Sequence, residues 1–588
     1  MLRLPANLLL PVTLLAALGW SASSVAQPKP NIEIKGGSEA LRENIRHFLP
    51  LYEEACKTPP WRLRSLLRES EREITAAGQA LGYYHLTFEH ELTRTDDCWN
   101  MVITVTPGDP VLVQEVRIVI NGDGVNDPAF QRIQEKPGIA KGDRLNHGQY
   151  ETLKNRFTSL AANRGYFDGK FQHARVAVSL EQNSAVVELV YDTGPRYRIG
   201  NINIQQDILN DSFVQRYIEF KEGDYYSAEE LLELKSMYNN SNFFSTATIA
   251  PDLHELEGES VPINISLEAR KRYSYSVGAG VATDTGPRLL FGFEDRYISS
   301  RGHSLTADLS LSEVTSTFET AYNIPMTRPA YEHLKIYTGY ERSNTDSSRS
   351  DLYKVGTSYT RFEDNDWLYT YALNYEREDS AVGSEDEQRT HLLIPSVSIF
   401  HTKTDGNPSY PRQGWNLLAR LSGSPETLGS SVSFVQLYGR AKYIHPLGKG
   451  RLLLRAEAGM TEVDELTSLP ASVRFFAGGD ASVRGYDYES LGPKEDIEVD
   501  GEIVSEVVGG NNLLVTSIEY DYLVRPKWAI AAFYDQGNAG NDFDFDFARS
   551  VGLGVRWISP IGPVRIDVAK ALDEGRGWAL HLSMGPDL

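Results

Sequence analysis

The sequence predicts an α+β array of three tandem repeats followed by an all-β transmembrane barrel of about sixteen antiparallel strands. Three observations lead there. One order of elements (short strand, helix, helix, strand, strand) recurs three times between Asn31 and Ala269. From Tyr273 onward helical spacing gives way to strict alternation of apolar and polar residues. The chain also opens with an export signal and is rich in tyrosine (31) and glycine (48).

Residues Met1 to Ala26 read as a signal peptide: Arg3 is basic, Leu8 to Leu18 is apolar, and Ser24-Val-Ala26 is a small-residue cleavage site. The mature chain is expected from Gln27. No later stretch supplies the roughly 20 apolar residues of a membrane helix. A net charge of -22 argues against a nucleic-acid partner. An exported chain is oxidised, so Cys56 and Cys98 are expected to form one disulfide, with two buried free thiols as the alternative.

The repeats are assigned to residues 27–108, 109–194 and 195–269. In the first, Asn31 to Lys35 is strand-like, and Arg62 to Ala80 has helical apolar spacing through Leu63, Leu66, Leu67, Ile74 and Ala77. In the second, strand Val113 to Ile120 precedes a helix from Gln149 to Ala162 and strands Phe171 to Leu180 and Ala185 to Tyr191. In the third, strand Arg198 to Ile204 precedes a helix from Ala228 to Tyr238, with Ser227 as its cap. The long helices exit at Leu81-Gly82-Tyr-Tyr84, Arg164-Gly-Tyr-Phe167 and Ser241-Asn-Phe-Phe244. A left-handed Gly or Asn is expected to end each one and turn the rings into the core.

The barrel is assigned to residues 270–588. In Val551 to Ile558, Val551, Leu553, Val555 and Trp557 oppose Gly552, Gly554 and Arg556; in Val564 to Ala569, Val564, Ile566 and Val568 oppose Arg565 and Asp567. In Trp578 to Met584, Trp578, Leu580, Leu582 and Met584 oppose Ala579, His581 and Ser583. Full charges beside glycines on the polar face, with no helix between strands, describe a lipid-facing wall around a wet lumen. His445-Pro-Leu-Gly448, Val524-Arg-Pro526 and Ser559-Pro-Ile-Gly562 are expected as tight turns on one rim. The long segment around 467–510 then becomes the sixth loop of the other rim.

That loop holds Arg474-Phe-Phe-Ala-Gly-Gly-Asp-Ala-Ser-Val-Arg-Gly-Tyr486, with Arg484 among glycines that permit sharp turns. Alternation in Leu513 to Tyr522 points Glu519 and Asp521 into the lumen, and in Trp528 to Gly537 it points Phe533 and Asp535 inward. A loop folded into the lumen would bring Arg484 to Asp535, the first candidate, or to Glu519, the second.

The three repeats resemble POTRA domains, the polypeptide-transport-associated modules of outer-membrane assembly proteins. Val483-Arg484-Gly485-Tyr486 resembles the signature of the outer-membrane protein assembly factor superfamily, and Phe533-Tyr-Asp535-Gln-Gly537 resembles its barrel-wall partner motif. Arg301-Gly-His-Ser-Leu305 and the ending Met584-Gly-Pro-Asp-Leu588 extend the likeness, and three repeats suit the TamA branch of the superfamily.

The resemblance implies a Gram-negative outer-membrane location with POTRA domains in the periplasm. It also implies insertion or secretion of autotransporter-type β proteins, an inner-membrane-anchored TamB-like partner, contact with outer-membrane lipid, and no cofactor. It further implies a lateral seam between the first strand, Tyr273 to Val281 with Gly278 and Gly280, and the last, with Trp578 and His581. His581 is read as an ordinary lumen-wall residue. The ending Gly-Pro-Asp-Leu588 departs from a terminal aromatic, so the chain's own targeting signal is expected a few residues earlier. Alternatives are a two-partner-secretion-like transporter, a passive pore, and phospholipid transport to the outer membrane.

An enzyme is not expected: there is no Gly-x-Ser-x-Gly elbow, His-Glu-x-x-His pair or phosphate-cradling loop. Asp496-Ile-Glu-Val-Asp-Gly501 opens like a calcium loop, but its twelfth position is Val507, so it reads as a solvated acidic loop with no metal. Asn541-Asp-Phe-Asp-Phe-Asp-Phe547 alternates acid and aromatic and is expected to extend a hairpin.

Overall fold

The computed structural model describes residues 29–588 apart from 96–97, 364, 408, 500–501, 561, 574–576 and 586. The expected export signal, Met1 to Ala26, lies outside the described residues.

Each repeat forms a three-stranded sheet, and the strand that closes the repeat lies in its middle: Trp99–Thr106, Ser184–Asp192 and Ser260–Ala269. In the first two repeats the opening strand (Asn31–Lys35, then Leu112–Asn121) pairs parallel with that central strand. The alternation explains the core. Trp99, Met101, Ile103 and Val105 are all buried, and Leu63, Ile74 and Ala77 of the helix Pro60–Ala80 close over them. Leu66 and Leu67, expected in that core, are half-buried at its margin. Cys56 and Cys98 form a disulfide.

The helix exits follow two rules. Gly82 (φ 84°) and Gly165 (φ 80°) are left-handed, as a Gly exit requires. After the helix Ala228–Asn240, Phe243 and Phe244 are buried as expected, but neither Ser241 nor Asn242 is left-handed. A side chain is penalised in that region, and the short step into the strand Phe244–Pro251 is made without it.

The chain divides into two compact units. One comprises Met1–Ile199, Gly223–Ala228 and Leu256–Val261; the other comprises Gly200–Glu222, Glu229–Glu255 and Pro262–Leu588. Within the second, Phe213 of the third repeat packs where a Cβ on Gly302 would lie, 2.4 Å from the ring. Only glycine fits there, which gives the Arg301-Gly-His-Ser-Leu305 stretch a packing role.

The barrel is one 16-stranded sheet whose strands lie in sequence order, from Tyr273–Ala282 to Trp578–Met584. Its neighbours pair antiparallel throughout, as with Asn512–Arg525 and Trp528–Gly540. On the outer face Ile518, Ile530, Leu553 and Leu580 are exposed, while Ser517, Glu519, Asp521 and Asp535 on the inner face are buried. An apolar wall this extensive is a surface for lipid. Among the described residues no helix is long and apolar enough to cross a membrane.

The expected tight turns fall between strands that end at Leu447, Arg525 and Ser559 and resume at Gly450, Trp528 and Gly562. Two loop readings change. The acidic run at Asp496 belongs to a hairpin, Lys494–Val499 paired with Glu502–Val507. The acid–aromatic run does not extend its hairpin: the strands stop at Gly540 and restart at Ala548, and Phe545 and Phe547 stack with centroids 5.5 Å apart.

Candidate functional site at the inward loop

The loop between the strands Gly450–Val463 and Asn512–Arg525 runs into the lumen and is tied to the wall at its base and at its tip. At the base, Arg474 makes a bidentate pair with Glu385 (2.8 and 2.7 Å) and donates to the carbonyls of Leu469 and Val508. Ser472 Oγ donates to Glu378. Beyond these ties Phe475, Ala477, Val483, Tyr486 and Leu491 pack on Leu513, Val515, Ala539 and Ala571 of the wall. That apolar contact seats the tip.

At the tip, Arg484 uses its whole guanidinium. Nε and one terminal nitrogen donate to the two oxygens of Asp535 at 2.7 and 3.0 Å. The other terminal nitrogen donates to Glu519 at 2.7 Å and to Asp567 at 3.0 Å. The Arg484 backbone N–H also reaches Asp535 at 3.2 Å, and Ser517 Oγ donates to the same carboxylate at 2.6 Å. The guanidinium covers the Phe533 ring, 3.4 Å from its centroid.

A second arginine completes the cluster. Arg556 donates to Glu519 at 2.8 Å and pairs with Asp567. Two buried guanidinium groups thus alternate with three buried carboxylates. Both Asp535 and Glu519, named from the sequence as alternative partners, contact Arg484 together.

The surrounding glycines have steric reasons. Gly485 (φ 94°) turns the chain past Ala571, whose backbone N lies 3.2 Å from where a Cβ would stand. At Gly537 a Cβ would lie 2.7 Å from Val515, and at Gly554 it would strike Asp567. Val483 is fully buried, and the Tyr486 hydroxyl lies 2.5 Å from Asp573 and 3.1 Å from the Arg549 carbonyl.

Sequence reasoning missed the parts played by Arg556 and Asp567. The signal was present, since both lie on polar faces of alternating strands and Asp567 sits directly opposite Gly554 in the register. His581, read as plain lumen wall, is instead bonded to the loop: its Nε2 accepts from the Gly485 N–H at 2.7 Å. Trp578 is exposed on the outer face. A Cβ on Gly280 would meet nothing within 4 Å, and one on Gly278 would make only ordinary contact with Leu290.

Residues 259–584, more than half of the chain, match the family described as the Omp85 superfamily domain. The chain belongs to the Omp85 superfamily. Residues 31–107 match a POTRA domain described as TamA domain 1, and residues 197–270 match a POTRA domain described as a surface antigen variable number repeat. Among Omp85 relatives, the outer membrane protein assembly factor BamA of Neorickettsia risticii is 24% identical, with 94% of this chain and 77% of that protein covered. BamA of Nitratidesulfovibrio vulgaris is 21% identical over 63% of this chain and 48% of that protein. The crystal structure of BamA from Haemophilus ducreyi lacking POTRA domains 1–3 shares the fold: TM-score 0.68 at 17% identity, covering 81% of this chain and 99% of that one.

Proposed function

We propose that this chain is an outer-membrane assembly factor of the TamA type, with its POTRA domains in the periplasm. It inserts or secretes autotransporter-type β proteins and works with a TamB-like partner anchored in the inner membrane. The observation that carries this reading is the seam. The ladder runs unbroken through sixteen strands, yet among the described residues no ladder joins Trp578–Met584 back to Tyr273–Ala282. An unladdered junction between neighbouring edges is where a client strand can add by backbone pairing.

The loop packed on the inner wall supports assembly over passive conduction, and the match to the first POTRA domain of TamA supports this branch of the superfamily. Arg484 pins the loop through Asp535, Glu519 and the Phe533 ring. Gly278 and Gly280 leave one edge with little side-chain packing, and Trp578 stands at the lipid face of the other. The work is strand guidance rather than catalysis.

The test is a cysteine pair with one member in Tyr273–Ala282 and one in Trp578–Met584. Oxidation should stop insertion of an autotransporter-type client and reduction should restore it, with the parent chain carried through the same cycle as control. Insertion that proceeds equally well through the locked barrel would overturn the proposal.

A further inference from the structure

The loop tip reaches the seam as well as the wall. Contacts of Arg484 fall on strands Asn512–Arg525, Trp528–Gly540 and Gly562–Ala571. Asp480 contacts the other side. Its backbone N–H donates to Asp284 Oδ2 at 3.3 Å, and its carboxylate accepts from Thr283 Oγ1 at 3.2 Å. Thr283 and Asp284 directly follow the first strand, which ends at Ala282. The same Asp480 carboxylate also meets Nδ1 of His581, in the last strand.

Hydrogen-bond logic fixes the His581 tautomer. Nε2 accepts from the Gly485 N–H at 2.7 Å, so it carries the lone pair and the ring proton sits on Nδ1, aimed at Asp480. Thr283 Oγ1, while donating to Asp480, accepts from the Leu582 N–H at 2.9 Å. A hydrogen bond across the unladdered seam therefore ends on a hydroxyl that the loop itself orients.

We infer that Asp480 is a latch: its carboxylate, held by Thr283 just after the first strand and by His581 on the last, keeps the seam shut while the loop is seated. Loop withdrawal and seam opening are then coupled, because the group that leaves with the loop bridges the two edges and orients the hydroxyl that accepts from Leu582. Asp480 and His581 act as positioning residues for the edges on which a client strand would add. The use of the latch rests on the lateral-seam reading above; its existence does not.

The experiment is hydrogen–deuterium exchange on the full chain in lipid nanodiscs, comparing the parent with Asp480→Ala and with Thr283→Val, which exchanges the hydroxyl for a methyl and so removes its bonds to both Asp480 and Leu582. Amides in Trp578–Met584 and Tyr273–Ala282 should exchange about tenfold faster in each variant, the effect of losing a charge-assisted contact. Amides in Asn512–Arg525 should be unchanged, because the Arg484 cluster is intact. Unchanged seam exchange in Asp480→Ala, whatever Thr283→Val does, or acceleration spread evenly over the barrel, overturns the latch. Faster seam exchange together with client insertion that ignores a cysteine-locked seam keeps the latch and rejects the lateral-seam reading.

Discussion

The Arg484 guanidinium lies on the Phe533 ring, 3.4 Å from its centroid, with every N–H directed to the wall. The ring fixes the plane of the fork and the carboxylates fix its direction. A lysine could match the charge but neither constraint. Arg484→Ala leaves three buried carboxylates facing one arginine. Losing one member of a buried pair costs roughly 3–5 kcal/mol, less in a wet lumen. The folded barrel should therefore melt at lower temperature, read by the gel shift between folded and heat-unfolded chain. Asp535→Ala should lower it too, and the double variant should fall well short of the sum. Additive losses would mean that the two residues do not act as one pair.

Two glycines on inward faces should respond unequally to alanine. At Gly552 a Cβ would lie 2.2 Å from the Phe533 ring and 2.6 Å from the Val568 carbonyl, and a backbone atom cannot rotate away. Overpacking of this kind costs roughly 1–3 kcal/mol. At Gly280 a Cβ meets open space, so Gly280→Ala should stay within about 0.5 kcal/mol of the parent. The same gel shift compares them, and equal losses would refute the steric account.

Alternation is the reason the wall could be read from sequence. A strand's period of two sends Ser517, Glu519 and Asp521 inward once Ile518 is known to face lipid, and the burial of all three follows. Alternation gives direction but not reach. It put Arg556, Asp567 and His581 in the lumen, yet their link to the loop depends on where an irregular segment lands, which no period encodes. The hairpin Lys494–Val507 was missed for a related reason: its charges read as a solvated loop, while its pairing is satisfied by its own two strands.

The base of the loop should matter separately from its tip. Arg474 is buried, pairs with Glu385 in the turn after the strand Trp367–Val382, and holds three loop carbonyls, those of Thr467, Leu469 and Val508. Arg474→Ala leaves those carbonyls and one carboxylate without their donor while Arg484 stays seated. The expected result is a loop held more weakly at its base, where Ser472 still donates to Glu378, and a higher single-channel conductance in planar bilayers than the parent. Arg474→Lys should recover little, because one ammonium cannot span the Glu385 fork and three carbonyls. Parent-like conductance in both variants would show that the Arg474 contacts do not hold the loop in place.

The second repeat should carry its own pH signature through Asp127. This residue caps the helix Pro128–Glu135 by accepting from the Ala129 N–H at 2.9 Å, and it also accepts from Arg164 at 2.8 Å and the Tyr166 hydroxyl at 3.0 Å. Burial works against the charged carboxylate, but these three donors outweigh it and hold its pKa below the ordinary aspartate value. Stability from a lowered carboxylate pKa is present above about pH 4 and is lost as pH falls through the folded value. Tyr166 has the opposite sense: burial, then its bond to Asp127, push it up to about 12, so its contribution is present below about pH 10 and fades above that. Exchange protection of amides in 123–166 of the full chain should thus be flat through neutral pH and fall at both extremes. Asp127→Ala should remove roughly 2–3 kcal/mol of that protection at pH 7. Asp127→Asn should remove the acid limb, since an amide has no proton to gain there; an acid limb that survives in Asp127→Asn would assign it to another group.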